Sequence, residues 1–169
     1  GRPMYLWTME RLKEIQKEGL ADSLVVVSQY EEILTEAARQ GISGVKNPNS
    51  ERGISSSLQI GLKAAVRLKD RDSEDYYMFF VADQPFLRKE TVENFLVDFE
   101  DSGKKIGCMS YRKTPGNPVI FHECFVPELM ALQGDTGGKK VLKKHLEEVF
   151  FYEVQDPGEL EDWDIKMNE

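Results

Sequence analysis

Apolar residues at Met4, Leu6, Met9, Leu12 and Ile15 recur at helical spacing, with Pro3 suited to a first turn and Gly19 to a stop. The pattern then shortens. "SLVVVS" (23–28) is a β-branched run of the kind found in buried strands. The spacing predicts a helix over 30–41 closed by Gly41, a short strand over 43–47 and a loop over 48–53. A helix continues the chain from 54, with apolar positions at 54, 58, 62, 65, 66 and 68. "DYYMFFVAD" (75–83) is the most apolar strand, and it ends in a charge. An amphipathic helix over 88–103, strands over 104–111 and 116–121 around an "RKTP" turn, helices over 124–132 and 137–148, and a last strand over 149–154 complete the pattern.

Strands alternate with helices through most of the chain. That order predicts βαβ crossovers and an α/β fold with a mostly parallel sheet covered on both faces. The close pair of strands over 104–121 is where antiparallel pairing is expected. There are no repeats or low-complexity tracts, so residues 1–169 are read as a single domain.

Composition adds three limits. The net charge is −8, which argues against nucleic acid or an anionic membrane as partner. A nucleotide stays possible, because a divalent cation can neutralise its phosphates. No apolar run approaches the roughly 20 residues a membrane helix needs. Cys108 and Cys124 form no CxxC and lie in apolar settings, so both are expected to be buried, reduced thiols in a cytoplasmic protein. With His122 and His145 the only histidines, a histidine-based metal site is not expected.

In an open α/β sheet, ligands bind outside the carboxyl ends of the strands. Asp83 falls there, and Gln84-Pro85 gives it a stiff exit. The alternatives are a helix cap or a solvent-facing loop acid. Asn47, Gly53 and the hydroxyls of Ser55, Ser56 and Ser57 surround the start of a helix, where free N–H groups attract anions; plain capping by serine is the alternative. Gly116-Asn117-Pro118 precedes an apolar strand and by itself reads as a turn. Gly134, Asp135, Gly137 and Gly138 form either a ligand-approaching backbone or a flexible connection between helices. Asp162 and Asp164 flank Trp163 in an acidic tail, which is usually solvated, although the tryptophan could anchor it.

Taken together, "ADQP" after an apolar strand, preceded by "N…G.SSS…GL" and followed by "GNPV.F", "GD.GGK..L" and a terminal "D.D", resembles the molybdenum cofactor nucleotidyltransferases. These are MobA-like NTP transferases, and the closer similarity is to the cytidylyltransferase branch. The resemblance spans nearly the whole chain. It implies a Rossmann-like three-layer α/β/α sandwich of the nucleotidyltransferase type. It implies transfer of a nucleoside monophosphate from CTP or GTP to the terminal phosphate of molybdopterin, with Mg²⁺ and release of pyrophosphate. Asp83 would hold the Mg²⁺, joined by Asp164 or Asp162. The helix start at Gly53 to Ser57 would face nucleotide or cofactor, and the segments at 116–118 and 134–138 would line the pterin side. A molybdenum hydroxylase would receive the product.

The chain departs from the family in three places. "IKMNE" stands after the tail acids in place of "TPED", and Asn117 stands where the cytidylyltransferase branch often has His. Family members also begin with a strand and a glycine-rich phosphate loop, "LAAG.S.RMG..K". This chain opens instead on Gly1-Arg2-Pro3, which resembles the family's residues just after that loop. Without such a segment the chain is expected to leave a groove beside 23–28 and 76–83 and not to transfer nucleotide. Two other functions fit the residues: a sugar- or polyol-phosphate nucleotidyltransferase, and a non-catalytic chaperone that binds or inserts molybdenum cofactor.

Overall fold

The computed structural model describes residues 2–68 and 74–163. Its elements are α1 (Met4–Lys17), β1 (Val25–Ser28), α2 (Glu31–Arg39), β2 (Ser43–Lys46), α3 (Ile54–Arg67), β3 (Tyr76–Phe79), α4 (Lys89–Ser102), β4 (Ile106–Tyr111), β5 (Thr114–His122), α5 (Val126–Met130), α6 (Lys139–Leu142) and β6 (Val149–Glu153). Short 3₁₀ turns lie at Ser50–Arg52, Glu123–Phe125, Leu146–Glu148 and Pro157–Leu160.

The larger sheet has the order β3-β5-β4-β6, and its side chains alternate between two cores. Ile106, Cys108, Val119 and Phe121 face Leu58 and Leu62 of α3, Leu129 of α5 and Val141 and Leu142 of α6. Their neighbours Met109 and Ile120 face Ile15 of α1 and Val92, Phe95 and Phe99 of α4. This period-two split of one apolar sheet, clad by helices on each face, is the three-layer α/β/α arrangement. The spacing of Val92, Phe95 and Phe99 gives α4 one continuous apolar stripe.

β4 and β6 pair in parallel, and β5 runs antiparallel to both its neighbours. The exception has a local cause. Arg112 and Lys113 both have positive φ, 48° and 65°, in a two-residue turn that can only join antiparallel strands. The Glu153 carboxylate accepts the backbone N–H groups of both residues and steadies a turn that neither side chain favours.

β1 and β2 form a separate parallel pair, with Val25 opposite Ser43 and Ser28 opposite Lys46. Among the described residues, β1 pairs only with β2 and β3 only with β5. All four β1 residues are half-buried, although three of them are valines. α3 packs on both β1 and β3. A helix is about 10 Å across, roughly two strand spacings, so these two edges lie near one another under one helix.

Four expectations are corrected. β3 spans four residues rather than 75–83, because the next β5 position after Val119 is Pro118, which has no N–H for the ladder. The helix expected over 137–148 stops at Leu142. His145 leaves helical geometry, with φ −129° and ψ 43°, and its ring bonds Glu128 of α5 at 2.7 Å. Cys124 is exposed on the 3₁₀ turn after β5, while Cys108 is buried and its thiol is pushed up to about 11, chiefly by that burial. The segment before the tail acids is packed rather than solvated, since Glu159 is only 2% exposed.

Candidate active site

α3 runs back from the exit of β2 to the start of β3, so its first turn lies at the end of the sheet where β3 delivers Asp83. β5 is antiparallel, so its first residues lie at that end as well. Two groups of candidate residues gather there.

The first surrounds Asp83, which is half-buried in the turn after β3. Three consecutive residues of this turn each hold a different partner. The Asp83 carbonyl accepts the Trp163 N–H at 2.8 Å. The Gln84 side-chain amide donates to the Leu160 carbonyl at 3.0 Å and to Asp162 Oδ1 at 2.9 Å. The Pro85 carbonyl accepts from Arg11 Nη2 of α1 at 2.8 Å. Burial lowers the Arg11 pKa, against the pull of Glu14 and Glu159.

The tail is fixed at two further points. Trp163 meets Phe86 edge-on, with ring centroids 5.2 Å apart. Glu159 accepts from Arg88 Nη2 at 2.6 Å and from the Arg88 N–H at 3.1 Å. Burial raises the Glu159 pKa, but hydrogen bonds from Arg88 and Thr91 outweigh it and hold the carboxyl below its usual range. Leu160 packs over Gly116, where a Cβ would sit 2.8 Å from its Cδ1.

Gly116, Asn117 and Pro118 are not a free turn but part of β5. Cys108 faces Val119 while Ser110 faces Pro115, so these three residues stand opposite Met109 alone and bulge from the ladder. The Asn117–Pro118 peptide bond is cis. A cavity of about 340 Å³ beside the bulge is lined by Tyr111, Arg112, Thr114, Gly116 and Leu160.

The second group centres on Asn47, fully buried at the exit of β2. Its Nδ2 donates to Ser57 Oγ at 2.9 Å, and its Oδ1 accepts from Ser56 Oγ at 3.2 Å and from the Asn49 N–H at 3.0 Å. Ser55 Oγ donates to the Gly134 carbonyl at 2.7 Å, and Asp135 Oδ1 accepts the Ile54 N–H at 3.3 Å. Asp135 thus caps α3, and the three serine hydroxyls bind within the protein. Gly53 has φ 93°, and a Cβ there would lie 2.6 Å from the Gly134 carbonyl carbon and oxygen. Gly137 lies beside Ile54 and Gly138 against the Phe121 ring.

Asp83 and Asp162 therefore belong to one group, joined through Gln84 and Trp163, while the residues from Asn47 to Ser57 and Gly134 to Asp135 form a second. Asp164 lies outside the described residues. Among those residues no three His, Cys, Asp or Glu side chains group to hold a metal. Two hard carboxylate donors fit a cation such as Mg²⁺ that completes its shell with water and phosphate oxygens. The contributions of Glu159, Leu160, Phe86 and Arg11 escaped the sequence reading. Asp156-Pro157 was the available signal: a cap residue before proline marks a helical turn, and Asp156 Oδ1 does cap it through the Gly158 N–H.

A sequence model of the MobA-like NTP transferase domain matches residues 1–149. No curated protein sequence matches the chain significantly. Solved structures do. Rv0371c of Mycobacterium tuberculosis, in a complex with manganese, superimposes with a TM-score of 0.61 at 20% identity, covering 86% of this chain and 74% of that one. The 4-diphosphocytidyl-2C-methyl-D-erythritol synthase of Anaerococcus prevotii gives 0.74 at 13% identity, over 98% and 82%. Molybdopterin-guanine dinucleotide biosynthesis protein A of Archaeoglobus fulgidus gives 0.57 at 15% identity, over 91% and 71%. At these identities the likeness is one of fold.

Proposed function

Because the chain belongs to the MobA-like NTP transferase domain family, we propose that it serves transfer of a nucleoside monophosphate from CTP or GTP to the terminal phosphate of molybdopterin. Nucleotidyl transfer is the chemistry of the family; CTP as the preferred donor, molybdopterin as acceptor, Mg²⁺ as the ion and a molybdenum hydroxylase as recipient are this reading's own. The observation that carries it is Asp83, half-buried at the carboxyl end of β3 and tied through Trp163 and Gln84 to a tail that presents Asp162.

Asp83 and Asp162, with Asp164 beyond them, would hold the divalent cation. When bound, that ion neutralises charge on the triphosphate. The acceptor phosphate oxygen attacks the α-phosphorus in line, the new O–P bond forms, and the bond to the β-phosphate oxygen breaks to release pyrophosphate. Little covalent work falls to the protein, so its residues position the reactants. Asn47 fixes the loop leading to Gly53 and the serines, and Gly134-Asp135 locks that loop against α3. Gly116, Asn117, Pro118, Gln84 and Pro85 shape the acceptor side, with Gly137 and Gly138 behind them. The adjacent edges of β1 and β3 would take one more strand, from which a glycine-rich loop would reach the triphosphate. Cys108 and Cys124, both free thiols, fit a cytoplasmic setting.

Pyrophosphate release is measured from CTP and GTP, each with molybdopterin, a sugar phosphate or a polyol phosphate, in Mg²⁺. Release with molybdopterin alone is expected. Release only with a sugar or polyol phosphate overturns the acceptor. Molybdopterin binding without release from any pair points instead to a cofactor-carrying role.

A further inference from the structure

Gln84 lies directly after the proposed metal acid and is 3% exposed, so its amide is held inside the protein. A primary amide has two N–H donors. Here one goes to the Leu160 carbonyl and the other to Asp162 Oδ1. The first bond fixes the backbone of the tail two residues before Asp162; the second fixes the carboxylate itself. Asp162 otherwise sits on an exposed stretch, with Glu161 and Trp163 also exposed.

We propose that Gln84 is a positioning residue that clamps the Asp162 carboxylate into place beside Asp83 for the divalent cation. This deepens the metal-site reading above and rests on it. The turn is built for rigidity, since its carbonyls at Asp83 and Pro85 are already held by Trp163 and Arg11. The bond leaves Asp162 Oδ2 and the second lone pair of Oδ1 directed by the clamp rather than by side-chain rotation. A clamp of this kind acts on metal affinity without touching the metal, as outer hydrogen bonds to carboxylate ligands do. Glutamate could not replace it, because it would set a second acceptor against the Leu160 carbonyl and Asp162.

The test is a mutant cycle read by Mn²⁺ titration with EPR detection, using the metal alone. The variants are Gln84→Met, Asp162→Asn and the double, each checked by thermal melting. Gln84→Met keeps the length and removes both donors. Each single change is expected to weaken Mn²⁺ binding about 10-fold, and the double change no more than Asp162→Asn alone. Should Gln84→Met fail to fold, Gln84→Asn, which keeps the amide on a shorter arm, takes its place in the cycle. Unchanged affinity in the Gln84 variant, or losses that multiply in the double, overturns the clamp while leaving Asp162 a ligand. Unchanged affinity in Asp162→Asn overturns the metal reading, and the clamp with it.

Discussion

Replacing Gly53 with alanine tests how the two loops of the group proposed to face nucleotide are joined. Gly53 has φ 93° and ψ 180°, a conformation open essentially to glycine alone. An added Cβ would lie 2.6 Å from the Gly134 carbonyl carbon and oxygen and 2.7 Å from the Asp135 nitrogen. These are backbone atoms, so no side-chain rotation relieves the clash. Backbone strain contributes about 1–3 kcal/mol, and forcing the two loops apart costs a further 1–3 kcal/mol or so. The sum, about 4 kcal/mol, lowers Tm by roughly 8–16 °C for a domain of this size. Separation of the loops also breaks the 2.7 Å bond from Ser55 to Gly134 and the Asp135 cap on α3, so the KM for nucleotide rises. Gly134→Ala is the control. Gly134 also has positive φ, 64°, but nothing lies within 4 Å of its Cβ position. Only the left-handed conformation is penalised there, by about 1 kcal/mol. Differential scanning calorimetry of both variants decides the matter. A Gly53→Ala protein within about 2 °C of the parent, or no less stable than Gly134→Ala, would refute the packing argument.

Glu159→Gln removes the buried anion that Arg88 and Thr91 hold, and is expected to cost about 2 kcal/mol at neutral pH. The folded pKa is depressed, so this stability is complete above the unfolded value near 4.3 and fades as pH falls through the folded value. The gap in Tm between parent and variant should therefore close below about pH 4; a gap constant from pH 7 to pH 3 would contradict the ion-pair account.

The larger features could be read from the sequence because they rest on local pattern. The β-branched run at 23–28, the helical spacing from 54 and the apolar run at 76–79 each identify one element, and their order identifies the α/β class. What escaped depends on contacts far apart in sequence. Nothing near Phe79 announces that Pro118 ends its ladder. Nothing near residue 159 announces that Arg88, 71 residues away, makes burial of a glutamate tolerable. The serines at 55–57 illustrate the same limit from the site's side. Their sequence shows a polar helix start, but only the fold shows that Asn47 and Gly134 take their hydroxyl bonds. The place of Asp83, in the turn that leaves β3, could be read from sequence because the exit of a strand is a position defined by chain order alone.

The most direct test of the account is the dependence of pyrophosphate release on Asp83. Release from CTP or GTP with molybdopterin is monitored as Mg²⁺ is lowered, for the parent and for Asp83→Asn. The account predicts that the variant melts within a few degrees of the parent yet loses activity by on the order of 100-fold or more. Near-parental rates from Asp83→Asn at limiting Mg²⁺ would contradict it.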